Sequence, residues 1–297
     1  MEDLNEKMNF GMGWLRDIPD FRDFTSEHEL VKPLLKKLKA TGAASAPPSL
    51  PASVDLRPWC SPIENQGQLG SCTANAGAGV LEYFERRAFG KHIDASRLFV
   101  YKVSRKLLGW NGDTGCFLRT TMAGMTLFGA PPERYWPYVV PQFDVEPPTF
   151  VYSLAQNYQA TRYYRYDPPG TAYDANFITR LKNSLAAGLP MMFGFTVYNS
   201  ISQANSSGKI PLPTAHESVA GGHAIDCVGY DDHITIKNTN PGAVQTTGAI
   251  LIRNSWGTGW GMAGYGYLPY EYLLRGLTSD WWSLISAEYV DTGQFGL

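Results

Sequence analysis

The pattern of apolar residues changes near residue 188, and this change limits the chain to folds that combine a helical part with a strand-rich part. Three earlier stretches repeat apolar residues at helical spacing: 72–89, 119–128 and 173–187. Later apolar residues come in short strand-like runs: 191–198, 223–230, 249–253 and 263–269. A helical half followed by a strand-rich half predicts the α+β class with two subdomains.

The charge balance argues against two classes of partner. The 297-residue chain carries 25 lysine and arginine residues against 27 aspartate and glutamate residues, a net charge of −2. Nucleic acids and anionic membranes attract proteins with a strong excess of positive charge. Hydrophobic residues make up 44% of the sequence and charged residues 18%, as in folded globular proteins. We therefore expect a folded protein that binds neither nucleic acid nor a membrane.

The sequence shows no targeting signal. Residues 1–14 include Glu2, Asp3, Glu6 and Lys7 and lack the apolar run of a secretory signal. The longest apolar stretch, 189–197, is far shorter than the roughly 18 residues that a membrane-spanning helix needs. A cytoplasmic location is the default expectation, but the sequence leaves export by another route open and does not decide the compartment.

The first fifty residues differ in composition from the rest. Residues 40–51 are rich in small residues and proline and predict an exposed linker. Before them, leucines recur on one face of a predicted amphipathic helix at Leu30, Leu34, Leu35 and Leu38. Such a helix either docks on its own domain or lies on a membrane surface. We predict an N-terminal segment over 1–48, a helical subdomain over 49–157 and a strand-rich subdomain over 158–297.

The cysteine content argues against disulfide and zinc frameworks. The four cysteines, Cys60, Cys72, Cys116 and Cys227, are too few and too scattered for a disulfide scaffold. No Cys-x-x-Cys pair occurs, which argues against a structural zinc site. We expect no metal and no organic cofactor. Cys60 and Cys227 are interpreted as packing residues, and the sequence leaves open whether Cys60 and Cys116 are free.

Cys72 has a special place because it begins the predicted helix over 72–89. A thiol is a poor nucleophile until it ionises, and both the positive end of a helix and a nearby imidazolium favour ionisation. Among the five histidines, His223 is preceded by two glycines and followed by an apolar run. Asn254, two residues before a tryptophan, is suited to hold an imidazole in one tautomer. The alternatives are an inert buried cysteine, a core histidine and a turn asparagine.

The segments around these three residues resemble those of papain-like cysteine peptidases. Residues 66–74, with the sequence QGQLGSCTA, are similar to the nucleophile segment of that family. The histidine and asparagine segments of the family are matched by GGHAIDCVGY at 221–230 and NSWGTGWG at 254–261. Residues 50–57, LPASVDLR, resemble the mature amino terminus. The whole pattern is more similar to bacterial members of the xylellain type than to lysosomal cathepsins.

The resemblance implies a role for each matching residue. Cys72 would be the nucleophile, His223 its ion-pair partner and general acid, and Asn254 the residue that orients His223. Gln66 would donate its side-chain amide to the oxyanion, together with the backbone N–H of Cys72. Trp256 would shield the hydrogen bond between His223 and Asn254.

The resemblance also implies a substrate cleft. Gly115 and Cys116 would form one wall of this cleft, and Gly194, Gly222 and Ala224 would line a specificity pocket. Trp256 would lie beside the bound substrate. Because the pocket residues are small, we expect an open, apolar pocket that prefers a bulky hydrophobic side chain at P2, the second residue before the scissile bond.

A fold and an activity follow from the same resemblance. The family fold combines a helical left subdomain with a β-barrel-like right subdomain, and the active-site cleft lies between them. The implied activity is that of a cysteine endopeptidase that hydrolyses protein or peptide substrates through an acyl-enzyme. Two alternatives stay open: a transferase or peptide ligase, in which an amine replaces water at the acyl-enzyme, and a catalytically silent binding protein.

The N-terminal segment is expected to regulate this activity. In the family, a segment of this kind commonly lies in the cleft in reverse chain direction and keeps the enzyme latent. We predict that part of residues 8–25 covers the site, with Phe10, Trp14 and Phe21 as anchors.

Overall fold

The helices fill most of the first half of the chain. The computed structural model describes residues 10–40, 49–160 and 162–285, so that most of the predicted linker lies outside it. The helices are α1 Lys32–Ala40, α2 Cys72–Phe89, α3 Arg97–Leu107, α4 Leu118–Leu127, α5 Thr149–Ala155, α6 Ala175–Ala186 and α7 Tyr270–Leu274. The predicted helix over 72–89 is confirmed at both ends. The helices predicted over 119–128 and 173–187 are confirmed as α4 and α6, with ends that differ by one or two residues.

The strands form one open sheet. They are β1 Ser53–Asp55, β2 Arg162–Arg165, β3 Met191–Tyr198, β4 Val219–Lys237, β5 Gln245–Arg253, β6 Tyr265–Pro269 and β7 Thr278–Ile285. Across the described residues the order is β2-β7-β3-β4-β5-β6, β1 pairs with β4, and every pairing is antiparallel. The α+β class is confirmed. The expected barrel is not closed, because the short edge strands β2 and β6 do not pair with each other, and closure needs continuous pairing around the sheet.

Helix α2 packs directly against strands β4 and β5 of the sheet. A β-carbon added at Gly79 would lie 2.2 Å from Arg253 Nη1 and 2.5 Å from Asp226 Oδ2. Glycine at this position therefore lets β4 and β5 approach the helix closely. The helix ends at Gly90, whose φ of +70° favours glycine.

The residue that precedes α2 is held by hydrogen bonds to other side chains rather than by a capping bond. Ser71 occupies the N-cap position, but its side chain makes no capping bond to the helix backbone. Its hydroxyl instead lies 2.6 Å from the hydroxyl of Tyr138 and accepts a hydrogen bond from Asn75 Nδ2. These bonds fix the turn immediately before Cys72.

Two large apolar clusters form the core. One surrounds β3, β4 and β5 and contains the stacked rings of Phe193 and Trp281. The other surrounds α2, α3 and α4 and contains Leu98 and Trp14. Each cluster joins residues from before and after position 157, since Tyr83 lies in the first and Met192 in the second. The division of the chain at residue 157 stays a prediction.

The N-terminal part of the chain lies on this body. Val31 is fully buried, and Leu34 and Leu35 of α1 pack with it against Tyr164 and Leu189. The docked alternative for the amphipathic helix is thus confirmed. The side chain of Leu38 lies outside the part of the chain that the structure describes. No helix within the described ranges has the length and apolar character needed to cross a membrane. Residues 10–25, which precede α1, are called the leader segment below.

Candidate active site

Cys72 lies at the positive end of α2 and is fully buried. The backbone groups of Ala224 on β4 and of Gly13 of the leader segment lie close enough to its sulfur to oppose the rise of the thiol pKa. Ala224 directly follows His223, so the sulfur lies beside the strand that carries the imidazole. The structure thus places the start of α2 next to the part of β4 that carries His223.

His223 on β4 lies beside Asn254, the residue that directly follows β5. His223 Nε2 and Asn254 Oδ1 are 2.9 Å apart, and Oδ1 also accepts the N–H of Ser255 at 2.8 Å. An oxygen facing the ring assigns the donated proton to Nε2. The other ring nitrogen, Nδ1, is buried and has no hydrogen-bond partner in the described part of the chain. Nδ1 is therefore the ring atom available to take a proton.

Aromatic rings cover the bond between His223 and Asn254. The ring of Trp256 stacks on His223 with centroids 4.6 Å apart, and Phe10 stacks on Trp256 at 4.8 Å with an interplanar angle of 6°. Trp256 is buried, so the bond is kept away from water. Phe10 belongs to the leader segment, which places that segment on the site.

Burial controls the protonation of the two candidate reacting groups. It raises the pKa of the Cys72 thiol to about 11, against the opposing effect of the backbone groups of Ala224 and Gly13. It lowers the pKa of His223 to about 4, against the opposing effect of the bond to Asn254. With the leader segment in place, both groups are neutral at pH 7. The covered site therefore holds a thiol and an imidazole rather than an ion pair.

Gln66 is bonded to the leader segment. Its Nε2 donates to the carbonyl oxygens of Gly11 and Leu69, both at 2.9 Å, and its Oε1 accepts from Ser255 Oγ at 2.5 Å. The amide that the resemblance assigns to the oxyanion thus already binds a carbonyl oxygen. The carbonyl oxygen of Gly11 accepts the N–H of Gln66 Nε2 that the resemblance assigns to the oxyanion.

The predicted wall of the cleft pairs with the leader backbone. Cys116 N–H donates to Gly13 O at 2.8 Å, and Leu15 N–H donates to Cys116 O at 3.1 Å. Trp14 consequently forms a parallel bridge with Cys116. A β-carbon at Gly115 would lie 2.2 Å from Gly13 O, so the absence of a side chain allows this approach.

The predicted pocket residues surround Trp14. Its backbone N–H donates to Gly222 O at 3.2 Å, and its indole lies where a side chain at Gly194 would be. Ala224 belongs to the same apolar cluster as Trp14. The predicted anchors Phe10 and Trp14 therefore contact the site. Phe21 was the wrong choice, since the chain turns at Asp20 and leaves it 90% exposed.

Sequence reasoning missed three residues at the site. Asp113 accepts the N–H of Gly70 at 3.0 Å and the hydroxyl of Tyr101 at 2.5 Å, and that hydroxyl accepts the N–H of Gly115 at 3.0 Å. This chain of bonds ties the nucleophile loop to the cleft wall. Asp280 closes the pocket around Trp14. Nothing in the local sequence distinguishes these residues from surface aspartates and a core tyrosine.

The four cysteines are all free, including Cys60 and Cys116, which the sequence left open. In the described ranges, no group of three or more histidine, cysteine, aspartate or glutamate side chains is arranged to hold a metal ion.

Comparison with known proteins places this geometry in a family. The description "Papain family cysteine protease" matches residues 50–272 of the chain. The crystal structure of xylellain, a cysteine protease from Xylella fastidiosa, superposes with a TM-score of 0.72 and 35% identity, and covers 94% of this chain and 97% of that one.

Two curated sequences extend the comparison. An uncharacterized peptidase C1-like protein, L477, of Acanthamoeba polyphaga mimivirus is 30% identical over 280 residues, which cover 91% of this chain and 85% of the viral protein. Cathepsin K of Gallus gallus is 30% identical over 219 residues, which cover 72% of this chain and 58% of the cathepsin.

Proposed function

Because this chain belongs to the papain family of cysteine proteases, which it matches over residues 50–272, we propose that it is an endopeptidase with Cys72 as its nucleophile and that the leader segment keeps it latent. The observation that carries this proposal is the hydrogen bond of 2.9 Å between His223 Nε2 and Asn254 Oδ1, which leaves Nδ1 without a hydrogen-bond partner among the residues that the structure describes. Membership of the family makes the chain a cysteine peptidase; the mechanism and the latency are the proposal.

The proposed reaction begins when the cleft is uncovered. The thiol proton of Cys72 moves to His223 Nδ1, and the thiolate attacks the scissile carbonyl carbon. The resulting oxyanion accepts hydrogen bonds from Gln66 Nε2 and from the N–H of Cys72. His223 returns its proton to the departing amine, which leaves a thioester on Cys72. Water, deprotonated by the same imidazole, then hydrolyses the thioester and restores the thiol.

Asn254 and Trp256 support this sequence without touching the reacting atoms. Asn254 holds the proton on Nε2, so that Nδ1 is the acceptor in the first step and the donor in the third. Trp256 excludes water from that bond by stacking on the imidazole. Both are proposed as positioning residues.

Latency follows from which groups the leader segment occupies. It forms hydrogen bonds to Gln66 through Gly11 and to Gly222 through Trp14. It also forms hydrogen bonds to Cys116 of the cleft wall through Gly13 and Leu15. Two of its acidic residues, Asp17 and Asp23, form ion pairs with Arg119. A substrate needs the same donors and the same wall, so substrate and leader segment exclude each other.

The function is tested with the full-length chain carrying Gly13→Ala, a substitution that disfavours the binding of the leader segment in the cleft. We expect this protein to hydrolyse a fluorogenic dipeptide in reducing buffer, and expect added Cys72→Ala to abolish hydrolysis. Cys227→Ala is the matched control, because Cys227 is equally buried but lies in the other apolar cluster. Hydrolysis that survives Cys72→Ala would overturn the proposal. Mass spectrometry with added amines identifies the product, and an amide in place of the free acid would make the protein a transferase.

A further inference from the structure

The indole of Trp14 occupies a cavity that exists because the residues beside it are glycines. This cavity is called the seat below. Trp14 is 7% exposed. A β-carbon at Gly194 would lie 1.9 Å from its Cε2 atom, and one at Gly222 would lie 2.8 Å from its Cε3 atom. Gly194 on β3 is directly opposite Ala224 on β4, the smallest side chain that could stand there. The seat therefore has the flat shape of a large aromatic ring.

The end of this seat is polar. Trp14 Nε1 donates a hydrogen bond of 3.1 Å to Asp280 Oδ2, between two buried groups. Asp280 is fully buried, and its other oxygen, Oδ1, accepts from Arg165 Nη2 at 2.7 Å. Oδ2 also accepts the backbone N–H of Asp17 of the leader segment at 2.8 Å. Both donors depart when the leader segment leaves, so an apolar ring of the same size in the uncovered pocket would leave Oδ2 buried without a donor, which carries a desolvation cost.

The backbone conformation of Asp280 and the hydrogen bond from it to Asp167 fix its position independently of Trp14. Its φ is +59°, a left-handed conformation that non-glycine residues rarely adopt. Asp167 stabilises it, because this carboxylate accepts the N–H of Asp280 at 2.9 Å and the N–H of Trp281 at 3.0 Å. Asp280 Oδ2 is therefore a fixed acceptor at a fixed depth in the seat.

The charges around Asp280 favour a neutral donor. Arg165 is fully buried and pairs with Asp280, with Asp167 and with Asp23 of the leader segment. Asp167 has its own donors in Tyr173 and the two backbone N–H groups. The guanidinium of Arg165 thus remains directed at Asp280 when the leader leaves. A second guanidinium at Oδ2 would meet this existing positive charge, whereas the N–H of an indole carries no net charge.

We propose that the seat formed by Gly194, Gly222 and Asp280 is a specificity pocket for tryptophan at P2 of the substrate, with Asp280 as the residue that distinguishes an indole from other large rings. This inference rests on the proposed function and adds its substrate preference. It adds a polar group to the open, apolar pocket expected from the sequence, because the floor of the pocket is the carboxylate of Asp280. Trp14 shows how the indole is bound.

The test uses the full-length chain with Gly13→Ala and Trp14→Ala, which leaves the pocket empty. Peptides that differ only at P2 carry tryptophan, 3-benzothienylalanine or arginine. Benzothienylalanine has the size of tryptophan but no N–H. We expect kcat/KM for tryptophan to exceed that for benzothienylalanine by about tenfold or more, and to exceed that for arginine. Equal values for the two rings, or a preference for arginine, would overturn the proposal.

Adding Asp280→Asn to this chain tests the role of the carboxylate. Asparagine tolerates a positive φ, and its oxygen is expected to turn toward Arg165, which leaves an amide N–H₂ facing the indole. The ratio between tryptophan and benzothienylalanine should then fall to about one. The alkylation rate of Cys72 by iodoacetamide, which is too small to need the pocket, checks that the site is intact. A ratio unchanged by Asp280→Asn in an intact site would contradict the assignment.

A binding measurement separates this inference from the proposed reaction. The same peptides should protect Cys72 from iodoacetamide in the same order, with tryptophan first. If the peptides protect in this order but are not cleaved, the proposed reaction fails and the pocket stands. If they are cleaved without a preference for tryptophan, the pocket assignment fails and the reaction stands.

Discussion

A β-carbon at Gly13 would lie 1.8 Å from the carbonyl oxygen of Gly70, far closer than two non-bonded atoms can approach. Gly70 belongs to the loop that presents Cys72. The leader backbone therefore touches the nucleophile loop at a distance that only glycine permits, and the contact is with backbone, which does not move aside as a flexible side chain does.

Gly13→Ala is therefore expected to expel the leader segment and raise peptidase activity. We expect the initial rate on a fluorogenic dipeptide to rise at least about tenfold over the unmodified chain, since a displacement costing more than about 1.4 kcal/mol shifts the closed state by that factor. Phe21→Ala is the matched control, because Phe21 is in the same segment but 90% exposed. Equal rates for Gly13→Ala and the unmodified chain would show that the leader does not confer latency.

Asn254→Ala is expected to lower kcat while leaving KM nearly unchanged. The hydrogen bond to Asn254 sets the tautomer of His223 and makes no contact with substrate, so its loss of about 1–3 kcal/mol predicts a fall of roughly fivefold to 150-fold. Steady-state kinetics in the Gly13→Ala background measure both constants, with the exposed Asn157→Ala as control. A rise in KM at constant kcat would assign Asn254 to substrate binding instead.

Asp113→Ala is expected to lower kcat/KM by roughly tenfold, because it removes the acceptor shared by the Gly70 N–H and the Tyr101 hydroxyl. Asp113→Asn keeps one carbonyl oxygen and should recover part of the loss. Asp94→Ala, whose carboxylate is 69% exposed, is the control. If Asp113→Ala leaves kcat/KM unchanged while the protein stays folded, the tie between nucleophile loop and cleft wall has no catalytic role.

Asp226 is expected to make stability fall as the pH rises. Burial raises its pKa to about 8, although Arg253 opposes this effect, and Glu82 adds a second carboxyl to the same buried guanidinium. Between the unfolded pKa near 4 and the folded pKa near 8, folding takes up a proton, so the free energy of unfolding decreases through this window. The contribution is complete below pH 4 and lost above pH 8.

Asp226→Asn should remove this dependence. From pH 5 to pH 8.5 the free energy of unfolding of the variant is expected to gain about 1 kcal/mol or more relative to the unmodified chain. Urea titrations at the two pH values measure it, with the exposed Asp94→Asn as control. A difference between the two proteins that does not change with pH would place the proton elsewhere in the cluster.

The sequence predicted the elements whose apolar pattern is regular. Helix α2 shows helical spacing from its first residue and ends at a glycine, and β3 is a mostly apolar run. Cys72, His223 and Asn254 were recognised because their segments resemble a known family, since no spacing argument brings together residues so far apart in the chain. The physical signal at Cys72 alone was its place at the start of a helix.

Elements and residues that depend on long-range pairing were not predicted. Helix α3 buries Lys102 and Arg105, which both pair with Asp144. Because charged residues are expected on the surface, these two positions interrupt the apolar pattern by which the helix would have been predicted. Every position of β7 is buried, so the strand shows no alternation. Asp280 lies in β7 and contacts Trp14 at a separation of 266 residues, for which the local sequence carries no sign.

The most direct test of the account is the pH dependence of Cys72 alkylation. Cys72 in the unmodified chain should react slowly with iodoacetamide below about pH 10, because burial raises its pKa to about 11. In the Gly13→Ala chain, His223 is free to take the thiol proton, so the rate should already reach a plateau near neutral pH, and His223→Ala should abolish that plateau. A rate in the Gly13→Ala chain that rises only toward pH 9, with or without His223, would contradict the central claim that these two residues form the reacting pair.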